Sequence, residues 1–525
     1  MSKLTAQKRA LLQQMLQKKG IDKSSDNTIS KQTSVAPPAS FLQEGLWFLD
    51  QFDPGQATYN VPGATKITGP LNHRALEKTL QEIIRRHETM RTTFENKLGR
   101  PVQIIAKEHS FKLPLVALSE TDAESQMNKV SALATEEARR PFDLAKGPLF
   151  RAFLIKISSE LHILVFNIHH IITDGWSMGV FTRELFKLYE AFSQNKSAPL
   201  EELPIQFADF AVWQRNWLRG ETLEKQLSFW RKQLNEPLPV LELPPDKPRP
   251  AFQSGKGGHE TLVLPRLLSV ALRKLTQRED TTLFELLLAA FNLLLCLYSK
   301  QYDIVVGSPV ANRNQKELEL LIGYFVNMIP LRADLTGDPT FVDLVKRIRQ
   351  VTMDAYAHRD LPFGKLVEEL NIKRDPSRNP VFQTEFILLT QEHAPAIYGY
   401  GFRSPIKKKM QLADLTLEPV EVESGVAKFD LVVLLWDVDD GISGTFEYNT
   451  DLFESATIKK MITHFEKLLH SIASNPDLPI SKYIEQLPAP TAKAAPARSA
   501  QRKQLNLKKI SQKRRNVVNR IEPEV

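Results

Sequence analysis

The chain has 525 residues, 42% of them hydrophobic and 25% charged, with a formal net charge of +8; this is the balance of a soluble globular protein long enough for two or three domains. Its single cysteine, Cys296, stands in the apolar run Leu293 to Leu297, which excludes an internal disulfide and a cysteine-rich metal site and fits a reducing compartment. The charged start Met1-Ser2-Lys3-Leu4 lacks the apolar stretch of a secretory signal, and the most apolar segment, Leu286 to Tyr298, is too short to span a bilayer, so a cytoplasmic protein with no membrane partner is expected.

In chain order, residues 4–19 group Leu4, Leu11, Leu12, Met15 and Leu16 at helical spacing before the stop Gly20. A polar stretch from Asp22 to Ser34 follows and reads as a linker. Between Ser40 and Arg215 helical and strand patterns alternate: a helix from Leu76 to His87, two antiparallel strands from Phe150 to Ile157 and Leu161 to His169, and a helix from Trp176 to Phe192. Six prolines between Pro237 and Pro250 give the clearest boundary signal. Beyond them the same mixture returns. Helices are predicted from Leu283 to Tyr298, Phe341 to Tyr356 and Ala456 to Ala473. Strands are predicted over Ile304 to Val306, Phe325 to Leu331, Phe382 to Leu389 and Leu431 to Trp436. The sequence describes two mixed α+β halves without an internal repeat. Past Pro488 the chain is rich in Ala, Pro, Lys and Arg, a tail expected to be disordered. The charge sits at the ends: residues 491–525 carry +8 and residues 1–31 carry +5, leaving −5 on the body. With no aromatic in that tail, nucleic acid is not expected as a partner.

The sharpest feature is Asn167-Ile168-His169-His170-Ile171-Ile172-Thr173-Asp174-Gly175-Trp176-Ser177. A buried strand delivers two histidines to its end, a short loop turns through Asp-Gly, and a helix begins. Neighbouring strand residues face opposite sides, so His169 and His170 divide between packing and a cleft. Asp174 suits an ion pair that holds the loop. Gly175 permits a backbone conformation or a close approach closed to other residues. An imidazole held in this way suits base catalysis near neutral pH. Metal ligation is disfavoured, because no Cys, His or carboxylate cluster stands nearby at ligand spacing.

His169 to Ser177 resembles the HHxxxDG signature of nonribosomal peptide synthetase condensation domains, in the chloramphenicol acetyltransferase-like superfamily. The resemblance covers about 450 residues and extends to six further ordered motifs. These are Ser40 to Leu49, Arg86 to Phe94, Phe207 to Gln214, Ile322 to Asn327, His358 to Phe363, and Arg374 to Pro380. It implies a free-standing condensation domain with two acetyltransferase-like lobes in a V-shaped pseudo-dimer, the active site lying in a tunnel between them. Its regions would be an N-terminal helix and linker over 1–34, lobes over 35–215 and 216–488, and the basic tail over 489–525. The first and last are candidate docking segments. His170 matches the histidine beside the reacting amine, acting as base or as positioning group, with His169 as its neighbour. Gly175 matches the position whose N–H helps hold the oxyanion. Asp174 matches the structural aspartate, with Arg313 as its first candidate partner and Arg86 and Arg91 behind it. Trp176, Ser308 and Asn327 are candidates for the tunnel wall.

The implied activity joins a carrier-bound acyl, aminoacyl or peptidyl thioester to an amine or hydroxyl. Peptidyl or acyl carrier proteins are then the partners, and a soluble amine or alcohol is a possible acceptor. The 4′-phosphopantetheine arm comes with the carrier, and no cofactor is expected on the chain itself. No carrier-type GGxS serine, adenylation loop or GxSxG elbow is found, so other proteins must load the substrate. Two departures from the family pattern stand out, Gly45 where Arg is usual and Arg359 where Gln is common. Trp176-Ser177 after Asp174-Gly175 sets the chain apart from epimerisation domains. The rival reading is a non-catalytic platform that recruits carriers or tailoring enzymes.

Overall fold

The alternating residues before the histidine pair fold as an antiparallel hairpin, Phe150–Lys156 against Leu161–His169, and this hairpin belongs to one of two six-stranded sheets. A computed structural model describes residues 28–488 apart from 33, 35, 109, 120–121, 373–374 and 391–408. The helix expected over 4–19, the tail from 489 and Arg374 lie outside the described residues.

The first half begins with α1 (Phe41–Phe52), started by a capping box in which Ser40 and Gln43 satisfy each other's backbone N–H. Then come β1 (Asn60–Thr68), α2 (His73–Arg86), the small hairpin β2 (Thr92–Lys97) and β3 (Arg100–Ile105), β4 (Leu115–Ala117) and α3 (Ala123–Arg139). The hairpin strands are β5 (Phe150–Lys156) and β6 (Leu161–His169), followed by α4 (Gly175–Ser193) and α5 (Phe207–Trp217). The second half runs α6 (Gly220–Gln233), β7 (Gly257–Val263), α7 (Arg266–Arg278), α8 (Leu283–Ser299), β8 (Asp303–Val310), β9 (Asn327–Asp334), α9 (Phe341–Ala357), α10 (Phe363–Glu369) and β10 (Thr384–Thr390). It ends with β11 (Met410–Leu412), β12 (Leu415–Val420), β13 (Leu431–Val438), β14 (Gly441–Asn449), α11 (Ser455–Ser474) and α12 (Ile480–Glu485).

The second sheet, in the order β7-β14-β13-β10-β8-β9, packs against α8. That helix is buried on every side from Glu285 to Tyr298, so its even apolarity is the mark of a core helix. Among the described residues no single helix is long and apolar enough to cross a membrane.

Two features redraw the expected lobes. The first sheet has the order β11-β12-β1-β6-β5-β4, so strands from the second half complete it, with Ala64 of β1 opposite Val420 of β12. A boundary at 215/216 would cut α5, and the proline-rich stretch is no linker. Leu241 and Leu243 are buried in the second core, and the Leu241 N–H donates to the Gln383 carboxamide at 2.8 Å. Prolines there stop regular structure without separating domains, because apolar side chains between them still find a core.

Candidate active site

Strand β6 is buried from His162 through His169, and its end brings the signature to a cavity of about 2200 Å³ walled by residues of both sheets. The main chain turns at once into a short 3-10 helix, His170–Ile172. The His170 N–H donates to the Tyr59 carbonyl at 2.8 Å, and the Gln43 carboxamide donates to the Ile171 carbonyl at 3.1 Å. The first motif therefore braces the histidine turn through Gln43.

His170 lines the cavity. Its Nδ1 lies 2.8 Å from the Thr173 carbonyl. A carbonyl can only accept, so Nδ1 carries the hydrogen and Nε2 keeps a lone pair. Burial is the main force on this ring, with Lys428 adding to it and Asp174 opposing it, and together they lower its pKa to about 4. The imidazole is neutral at physiological pH and able to accept a proton. The Tyr324 ring meets it edge-on at 5.0 Å.

His169 lives differently. It is buried, packed against Phe142 and Tyr59, and its Nδ1 accepts the Ile171 N–H at 3.1 Å. Burial lowers its pKa to about 3. It touches the cavity wall, but its accepting nitrogen is already used, so its environment is that of a packing residue rather than a base.

Asp174 caps α4, accepting the Ser177 N–H at 2.8 Å. The same Oδ1 takes Arg313 at 3.2 Å, while Oδ2 accepts the Phe325 and Val326 N–H groups at 2.9 and 3.2 Å. The Arg313 side chain is buried; it also donates to the Ser177 hydroxyl at 2.7 Å and the Leu321 carbonyl at 2.7 Å, and it lies over the Phe325 ring. Burial lowers the guanidinium's pKa and Asp174 opposes that. The Ser177 hydroxyl donates to the Gly323 carbonyl at 2.8 Å and accepts the Gly323 N–H at 3.0 Å. This buried knot ties the signature loop to the chain between β8 and β9. Gly175 is the first residue of α4 and lines the cavity. Its backbone is that of an ordinary helix start and not a left-handed one. At that position the N–H has no acceptor one turn back within the helix and adds to the positive end of its dipole.

A protein-family model for the condensation domain matches residues 34–493. The chain belongs to this family. Among its relatives are one of the proteins that make up the linear gramicidin synthase of Brevibacillus parabrevis, 45% identical over 85% of this chain, and chondramide synthase of Chondromyces crocatus, 41% identical over 84%. This condensation domain spans 6% and 11% of the lengths of those two proteins. Among solved structures, the X-domain from teicoplanin biosynthesis matches with a TM-score of 0.77 at 27% identity, covering 86% of this chain and 98% of that one. It has also been solved in complex with OxyB. A four-domain nonribosomal peptide synthetase matches with a TM-score of 0.77 at 23% identity over 87% of this chain and 34% of that one.

The remaining expected site residues of the condensation domain divide. Arg86 does not reach Asp174; it pairs with Glu184 of α4 at 3.2 Å, a carboxylate shared with His87 at 3.0 Å. Arg91 bonds the Ala106 carbonyl and meets Glu88 at 3.4 Å. Both arginines brace the first lobe. Trp176 is not on the cavity wall: one step round the helix from Gly175 it turns away, and its Nε1 donates to the Glu319 carbonyl at 3.1 Å. Ser308 also faces away, donating to the Phe386 carbonyl at 3.0 Å, while its strand neighbour Pro309 lines the cavity. Asn327 borders the cavity, but its carboxamide donates to the Arg359 and Leu361 carbonyls and accepts the Phe363 N–H. It clamps the loop of the His358 to Phe363 motif. Of the two departures, Gly45 leaves open space beside the cavity, and Arg359 holds Asn314 at 3.2 Å.

Sequence reasoning missed Tyr324, Glu385, Lys428 and Glu447, which line the same cavity. Tyr324 stood inside a recognised motif. Glu385 had a signal of its own, a lone charge in the apolar strand Thr384-Glu385-Phe386-Ile387-Leu388-Leu389.

Proposed function

We propose that this condensation domain transfers an acyl, aminoacyl or peptidyl group from a carrier-protein thioester to an amine or hydroxyl, forming an amide or ester in cytoplasmic nonribosomal peptide biosynthesis. The observation that carries this reading is His170, which lines a cavity walled by both lobes and engages the Thr173 carbonyl through Nδ1, leaving Nε2 as its accepting nitrogen. A cavity of about 2200 Å³ has room for a pantetheine arm and its acyl group. The two carrier arms would enter it from opposite faces of the V. Each arm is part of a substrate, and the chain's own residues supply the rest.

The nucleophile attacks the thioester carbonyl while His170 Nε2 takes its proton or holds it in line. The Gly175 N–H, at the start of a 19-residue helix, offers a fixed donor to the oxyanion. Collapse of the tetrahedral intermediate breaks the C–S bond, and the imidazolium returns the proton to the departing thiolate. Asp174 and Arg313 act as positioning residues, fixing the turn that presents His170 and Gly175. Holding the reactants in line can alone supply much of the acceleration. The platform reading, for which the fold of the X-domain is a precedent, is disfavoured by this intact geometry.

The test is His170→Ala assayed by intact mass on a loaded carrier with a panel of amines. Condensation should fall by roughly 100-fold or more, with the circular dichroism melt unchanged. Undiminished turnover in the folded variant would overturn the assignment.

A further inference from the structure

The cavity's second-lobe wall carries a row of side chains set by strand register. Glu385 of β10 pairs with Val432 of β13, Val432 with Glu447 of β14, and Glu447 with His259 of β7. Residues in register across neighbouring strands share a face, and all four line the cavity. Lys428, just before β13, borders it too, with its ammonium 5.3 Å from the centre of the Tyr59 ring.

Glu385 is only 9% exposed, yet among the described residues its carboxylate makes no hydrogen bond and no ion pair within 4 Å. It sits on a strand flanked on both sides, where apolar residues are the rule. The groups that act on it are Lys428, which favours its charge, and Glu447, which opposes it; Tyr324 feels it from across the cavity. His259, in the same row, is engaged by Glu421 at 3.1 Å. Burial pushes the Glu385 carboxyl up to about 8. An uncompensated buried carboxylate is costly, and it survives where a proton or a cationic ligand neutralises it.

We propose that Glu385, seated in register with Glu447 and beside Lys428, binds an alkylammonium or guanidinium group of the substrate, making it a specificity-determining residue. This rests on the condensation reading, since the cavity must hold the substrates. A basic side chain on the donor or the acceptor would place its cation against Glu385 while its thioester or amine meets His170. A charge-assisted bond of this kind is worth roughly 10- to 100-fold in selectivity.

The experiment compares ornithine and norvaline pantetheine thioesters, each offered as donor and as acceptor, with wild-type and Glu385→Gln proteins. The wild type should favour ornithine by roughly 10- to 100-fold in kcat/KM in one of the two positions, and the variant should bring that ratio near one. Glu385→Met, which suits an apolar strand, serves if the glutamine variant does not fold. Independently, agmatine binding by calorimetry should weaken at least tenfold in the variant. An unchanged ratio overturns the proposal, as does a wild type indifferent to the cation. So does equal or absent agmatine binding. If agmatine binds in a Glu385-dependent way while neither thioester condenses, the cation site stands and the condensation reading falls.

Discussion

His170 and His169 are adjacent in sequence, and each gives its Nδ1 a different task. In His170 the nitrogen donates to a carbonyl; in His169 it accepts an amide N–H. Alternation along a strand separates their directions, but the tautomers come from the turn that follows, which the motif alone does not show. Both rings are held neutral, with pKa values lowered to about 4 and about 3. As pH falls below about 6.5 the unfolded chain takes up protons that the folded chain refuses. The unfolded state then binds more protons, so stability declines as pH falls. The slope is about 1.4 kcal/mol per pH unit for each histidine within that window. His169→Gln should flatten the pH dependence of urea unfolding between pH 6 and 4.5, while the His170 Cε1–H resonance should stay at its neutral position down to about pH 5. A resonance titrating near pH 6.5 would contradict the buried, neutral ring. The partner of Asp174 was also legible: of three arginines named, Arg313 is the one in contact. The roles of Arg86, Trp176, Ser308 and Asn327 were not, because each depends on which way a side chain leaves its element.

At the scale of elements, the long periodic segments declared themselves. The hairpin before the signature and the helices α4, α8, α9 and α11 lie within a residue or so of their sequence-based bounds. Strands β1 and β7 did not, since their pairing partners lie far away in the chain and local pattern carries little of that. The Ile322 to Asn327 motif shows what an element junction demands. A Cβ on Gly323 would sit 2.0 Å from Phe207 Cδ2, on a ring that is itself packed against Phe325 at 4.8 Å. Gly323→Ala should therefore cost about 1–3 kcal/mol in chemical denaturation, and adding Phe207→Leu should recover part of the loss. An unshifted midpoint in the single variant would show that the packing there is slack.

At the scale of the molecule, two sheets with separate cores are interlocked. The Asp174–Arg313 knot binds the signature loop to the second half, and β11–β12 lie in the sheet of the first. Two mixed halves were readable from composition and pattern; the exchange of strands was not, since nothing local in residues 410–420 says which sheet they join. Such interlocking predicts cooperative behaviour. Amides of β1 and β13 should lose hydrogen-exchange protection at the same denaturant concentration, and β1 opening well before β13 would show the lobes to be independent.

The strand exchange also bears on synthesis. When β1 leaves the ribosome its flank at Ala64 to Thr68 has β12 as its eventual neighbour, and some three hundred and fifty residues must still be translated before that neighbour appears. At elongation speeds of about 5–20 residues per second, that nascent edge waits for tens of seconds. Over that interval it is an open template for pairing with other polypeptides, and a growing chain of this design gains from a chaperone close to the exit site.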